Sequence, residues 1–145
     1  MRRMRRRWLL LGCAGVVWLG ACGAGDEEPL SASCTDASEV QRALAAAPDP
    51  VVLADGTRLS QCIERATSPS DLQNLGTALT AVAEAMEDDP ARTEQLGYLI
   101  GATRRGIERS SGTGGELAHR LERSGADSAD PAALLRGVRA GEGSG

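Results

Sequence analysis

The chain has 145 residues, of which 20 are acidic and 16 basic, for a net charge of −4. Every basic residue is Arg, and the absence of Lys excludes Schiff-base chemistry, pyridoxal attachment and a phosphate-loop lysine. Aromatic residues are only 2% of the chain, which argues against sites that stack sugars or single-stranded nucleic acid on flat rings.

The first element is a leader. Arg2, Arg3, Arg5, Arg6 and Arg7 open the chain with no acidic residue among them, and an apolar run of 14 residues, Trp8 to Ala21, follows. A helix needs about 20 apolar residues to cross a bilayer, so the run is too short to span. It does have the length and the small-residue ending of an export signal. The run closes on Leu19-Gly20-Ala21-Cys22.

That tetrad resembles the lipobox of a bacterial lipoprotein. The resemblance covers residues 1–22 and implies that 1–21 are a signal peptide, removed after the Cys22 thiol has taken a diacylglyceryl group. Gly20 and Ala21 leave the backbone beside Cys22 open to a protease. It further implies attachment to a bacterial membrane through lipid on Cys22, facing the extracytoplasmic side. Two or more acyl chains, at about 0.8 kcal/mol per buried methylene, make such attachment stable. Leu10-Leu11-Gly12-Cys13 has a similar pattern, but it would leave only five residues, Trp8 to Gly12, after the last leader Arg. It is rejected as the lipidated site. Arg5-Arg6-Arg7-Trp8-Leu9 also resembles a twin-arginine export signal, though Arg runs are common in leaders, so the export route stays open.

Removing the leader changes the rest of the chain. Five of the 16 Arg residues lie inside it and all 20 acidic residues lie after it, so 11 Arg remain and the net charge is near −9. An acidic domain of this kind is repelled by nucleic acid, which is not an expected partner. Trp8 and Trp18 leave with the leader, and Tyr98 is the one aromatic residue beyond it. Residues 22–33 are Gly-rich and acidic and read as a flexible linker. Cys34 and Cys62 then remain as a pair, 28 positions apart. In an oxidising compartment they are expected to form a disulfide.

Residues 34–124 carry the helical signals. Asp36 with Glu39 marks a helix start, and Val40, Leu44 and Ala47 continue it until Pro48 and Pro50 end it. Val51-Val52-Leu53 leads into an Asp55-Gly56 turn, where a hairpin returning through Thr57 to Cys62 is one possibility. Leu59, Cys62, Ile63 and Ala66 favour a second helix there instead. Ser68-Pro69-Ser70-Asp71 predicts a capped start, and Leu72, Leu75, Leu79, Val82 and Met86 predict a bundle-type seam. The acidic group Glu87-Asp88-Asp89 lacks the spaced ligands of a calcium loop and reads as caps and turn.

The next helix is expected over about Ala91–Glu108, buried through Leu96, Leu99, Ile100, Thr103 and Ile107. Gly97 and Gly101, four apart, leave one face nearly bare backbone. A mid-helix Gly costs about 1 kcal/mol relative to Ala, so the pair implies a closely packed neighbour. That neighbour is either another helix of the domain, the favoured choice, or a partner docking beside Arg104, Arg105 and Arg109. Ser110 to Gly115 reads as a flexible loop, and Glu116–Arg123 as a last short helix. Residues 125–145, rich in Gly, Ala, Asp and Ser, are expected as a disordered or loosely docked tail with at most a turn of helix near Asp130–Gly137.

The expected fold is therefore all-α, a small bundle of four to five short helices with one disulfide. Glu116, His119 and Glu122 share a helix face, but His119 is the only His, so half of a helical di-iron ligand set is missing. The Gly-rich loop before Glu116 would offer an anion to a helix that opens with a carboxylate. There is no Gly-x-Ser-x-Gly elbow, and His119 is the only candidate base for a nucleophile. No enzyme activity, metal or cofactor is expected. The expected role is a lipid-anchored module that binds an envelope protein or serves a structural role there; the alternative is a small-ligand or metal-binding lipoprotein.

Overall fold

Seven α-helices, and no strand among the described residues beyond one isolated bridge, make up the computed structural model, which describes residues 29–110 and 114–145. The leader, Cys22 and most of the expected linker lie outside the described residues, as do Ser111, Gly112 and Thr113 of the Gly-rich loop.

Helix α1 (Ala32–Thr35) is a single turn capped by Ser31, and it carries the buried Cys34. It starts inside the stretch read as linker, so the folded part begins earlier than Cys34. Leu30 already packs on the core. Helix α2 (Ala37–Ala43) starts where Asp36 accepts from the backbone N–H groups of Ser38 and Glu39, and a 3-10 turn over Leu44–Ala46 extends it to the prolines. Its core face is Val40 and Leu44, both fully buried.

The segment from Val51 to Arg58 contains one antiparallel bridge, Val52 with Arg58, around a turn in which Gly56 has φ 87°. That left-handed backbone is where a residue without Cβ is needed. Asp55 accepts from the Thr57 N–H at 2.9 Å and sets the turn. The return strand goes no further, because α3 (Leu59–Arg65) begins at once and buries Leu59, Cys62 and Ile63. The Gln61 side chain accepts from the Arg58 N–H at 2.9 Å at its start.

Helix α4 (Pro69–Glu87) has Ser68 as N-cap and Pro69 in its first turn, and it buries Leu75, Leu79, Val82, Ala83 and Met86. Leu72, the first position of the expected seam, is only partly buried. Each fully buried Leu or Met contributes about 1.5–3 kcal/mol of transfer free energy, so this face anchors the bundle. Asp89 accepts from Ala91 N–H and opens a 3-10 turn over Pro90–Arg92, where Arg92 pairs with it at 3.2 Å.

Helix α5 (Thr93–Arg109) is central, with a broad buried face and a polar edge of Glu94, Gln95, Arg104, Arg105, Glu108 and Arg109. Leu96, Gly97, Tyr98, Leu99, Ile100, Gly101, Ala102, Thr103 and Gly106 are all buried, while Ile107 is only partly so. Helices α3, α4, α6 and α7 surround it. The Thr103 hydroxyl is satisfied locally, donating to the Leu99 carbonyl at 2.9 Å.

Helix α6 (Gly115–Ala126) packs through Leu117, Leu121 and Gly125, and runs three residues beyond the expected Arg123. The final segment corrects the expectation most: residues 131–144 are a 14-residue helix, α7 (Pro131–Ser144), docked on α5. Asp130 caps it through the Ala133 N–H and Pro131 fills its first turn. Its glycines, which read as disorder one at a time, are what allow the helix to approach its neighbour. The bundle therefore has seven helices rather than four or five, and no disordered tail among the described residues.

Candidate functional site: the α5 face and the disulfide

Cys34 and Cys62 are joined, with S–S 2.03 Å and Cα–Cα 5.6 Å, and both are fully buried. The bond fastens α1 to α3, and two more links hold the same region. The Ser31 hydroxyl donates to the Asp55 carboxylate, and Ala54 N–H donates to Glu39 at 2.7 Å. The start of the folded chain is thus held to the Val51–Arg58 segment at several points.

The bare face of α5 is filled from within the chain. A methyl placed on Gly97 would lie 2.2 Å from the Leu134 carbonyl oxygen, and one on Gly101 would lie 2.1 Å from that of Val138. The relation is reciprocal: at Gly137 and Gly141 an added methyl would meet the Glu94 and Tyr98 carbonyl oxygens at 2.0 and 2.2 Å. Contacts advance in the same direction along both helices, so α5 and α7 run parallel, backbone against backbone. Gly137 and Gly141 repeat the four-residue spacing of Gly97 and Gly101, a signal present in the sequence but assigned there to a tail.

The three arginines on α5 also find their partners within the chain, at the surface. Arg104 bridges α6 and α7, with Nε 2.9 Å from Glu122 and Nη1 3.2 Å from Glu142. The bond to Glu122 is the main reason its guanidinium is held still more firmly in the charged form. Arg105 donates to the carbonyls of Glu142 and Gly143 at 2.6 and 2.7 Å, near the negative end of the α7 dipole. Arg109 reaches Glu64 on α3 at 3.3 Å. Gly97, Gly101, Arg104, Arg105 and Arg109 thus lie together on one region of α5 whose contacts run to α3, α6 and α7.

Tyr98 completes this region, and sequence reading assigns it no role. It is fully buried, and its hydroxyl accepts from the Val51 N–H at 2.9 Å and meets the Ser144 hydroxyl at 3.1 Å. One phenol therefore ties the loop after α2 to the last turn of α7. Only the three-dimensional arrangement reveals this link.

His119 Nδ1 sits 3.5 Å from Glu122, and the imidazole is largely exposed. Glu116 pairs instead with Arg120, at 3.9 Å. Among the described residues no group of three His, Cys, Asp or Glu side chains converges to hold a metal ion. A groove of about 390 Å³ lies between α5, α6 and α7, walled by Ile100, Leu134, Leu135 and Val138, with Arg104 and Glu122 also lining it. The carboxylate of Glu122 and the guanidinium of Arg104 already neutralise one another there.

No helix of the described residues is long and apolar enough to cross a membrane. Compared with protein-family models, curated proteins and solved structures, the chain matches none of them.

Proposed function

We propose that the protein is a lipid-anchored helical module of the bacterial cell envelope, attached through Cys22, displayed on the extracytoplasmic side, and acting by protein interaction or structural support rather than catalysis. The observation that carries the reading is Leu19-Gly20-Ala21-Cys22 at the end of an Arg-led apolar run of 14 residues. The buried Cys34–Cys62 disulfide supports it, because such bonds persist in oxidising compartments outside the cytosol. The charge near −9 that remains beyond the leader suits a solvated domain held off anionic surfaces.

Fractionation of cells expressing the wild type beside Cys22→Ala tests this directly. The wild type should sediment with membranes and be released by detergent, whereas the variant should leave that fraction or keep its leader. Cross-linking in an envelope extract then addresses the role, and a discrete protein adduct is the expected outcome. Wild type and Cys22→Ala behaving alike would remove the anchor from the proposal.

A further inference from the structure

We infer that α7 is a strap, a helix that undocks and unfolds as a unit while the disulfide-braced remainder of the bundle stays folded. The inference does not depend on the lipid anchor. It rests on what holds α7 in place.

Helices in globular proteins are retained mainly by the apolar side chains they bury. Helix α7 contributes Val138 to the core, with Leu134 and Ala140 partly buried against it, but no large side chain that is fully buried. None of the largest fully buried side chains belongs to it; they come from α2 and the 3-10 turn after it, α3, α4, α5, α6 and Val51. Its own buried residues are Ala133, Gly137, Val138 and Gly141, while Leu135 is 53% exposed. The contact with α5 is instead close backbone apposition, and at such a seam contacts of the Cα–H to carbonyl type are individually weak.

Its intrinsic helicity is also low. Gly137, Gly141 and Gly143 lie within 14 residues, and each interior Gly disfavours the helix relative to Ala. Once off α5, a helix this short and Gly-rich does not persist in water. Undocking and unfolding of α7 are therefore one event.

Polar ties close the strap, and they concentrate at its last turn. Arg105 donates to the Glu142 and Gly143 carbonyls, Arg104 pairs with Glu142, and Tyr98 meets Ser144. The Ser60 hydroxyl donates to the Gly145 carbonyl at 2.6 Å. At the other end Arg136 pairs with Glu94 at 3.3 Å. The rest of the domain has its own supports: the Cys34–Cys62 bond and the Leu-rich seam of α4 on α5 involve no α7 residue. When the strap opens, the backbone strip at Gly97 and Gly101 is uncovered with Arg104 and Arg105 beside it. Small opening units of this kind are common in proteins and exchange with solvent on their own.

Amide hydrogen exchange by mass spectrometry tests this on the oxidised protein, purified from whichever cell fraction contains it. Peptides from α7 should exchange well ahead of those from α4 and α5, and their exchange should rise with denaturant less steeply than that of α4 and α5. Two variants move the strap in opposite directions. Arg105→Gln removes the charge at the end of α7 and should speed α7 exchange about tenfold, leaving α4 unchanged. Gly143→Ala enters open space, with no atom within 4 Å of the new methyl. It should slow α7 exchange about two- to fivefold, again leaving α4 unchanged. Helices α4 and α7 exchanging together, or α7 responding to neither variant, overturns the inference.

Discussion

Gly97 of α5 and Leu134 of α7 meet backbone to backbone, so closely that a Cβ on Gly97 would stand 2.2 Å from the Leu134 carbonyl oxygen. Nothing flexible is present to move aside, because the obstructing atom belongs to a helix backbone. Gly97→Ala should therefore weaken the docking of α7 on α5 by about 3 kcal/mol, despite the better helix propensity of Ala. Gly76 of α4 is the internal control: its added methyl finds only the end of Leu117, at 3.9 Å. Gly76→Ala should stabilise by about 0.5–1 kcal/mol. Amide exchange in α7 reads Gly97→Ala and urea denaturation reads Gly76→Ala, and α7 exchange unchanged in Gly97→Ala would contradict the close pairing.

The disulfide gives a second expectation. Reduction, or the double substitution Cys34→Ser with Cys62→Ser, frees a loop spanned by 28 positions. In the chain-entropy model this costs about 3–4 kcal/mol. The denaturation midpoint should fall accordingly, and intact mass should rise by two hydrogens on reduction of the wild type. Alkylation mapped to Cys34 and Cys62 in the unreduced, unfolded protein would sink the assignment.

Tyr98 offers a third. Tyr98→Phe preserves the ring but leaves the Val51 N–H buried without its acceptor. The expected loss is about 1–2 kcal/mol, the usual effect of orphaning a buried donor. Thermal unfolding followed by circular dichroism checks it. A midpoint equal to wild type would mean that the hydroxyl contributes nothing net.

Acid stability follows from two carboxylates. The Ser38 hydroxyl, then the Glu39 N–H, hold the Asp36 carboxyl below the ordinary aspartate range. The Ser31 hydroxyl, then the Thr57 N–H, do the same for Asp55. A group whose pKa is depressed on folding contributes stability that is present above its unfolded value and lost as pH falls through the folded one. Stability should thus hold down to about pH 5 and decline below about pH 4. Asp36→Asn and Asp55→Asn should flatten that acid limb. An unchanged slope in both variants would contradict these hydrogen bonds as its cause.

How much of the fold is legible in the sequence depends on the range of the signal. Asp36 and Ser68 announce their helices because a cap is chosen by neighbours two or three residues away, and the Leu75–Met86 seam shows through period alone. Helix α3 prevails over the hairpin for the same reason, with Leu59, Cys62 and Ile63 on one face. Helix α7 escapes sequence reading because Gly137, Gly141 and Gly143, taken one by one, are helix breakers. The value of Gly137 and Gly141 lies in what Gly97 and Gly101 present 40 positions earlier. The same limit hides Tyr98, whose partners Val51 and Ser144 lie 47 and 46 positions away. Arg104, Arg105 and Arg109 group with the glycines by adjacency, but their partners Glu122, Glu142 and Glu64 come from three other helices.

The central claim is that Cys22 is the lipidated first residue of the mature protein. Intact-mass spectrometry of the protein purified from cells, beside Cys22→Ala, tests it most directly. The expected result is a chain beginning at Cys22, heavier than its sequence by a diacylglyceryl group, and a variant that carries no lipid. A wild-type protein that retains residues 1–21, or begins at an unmodified residue beyond them, would contradict it.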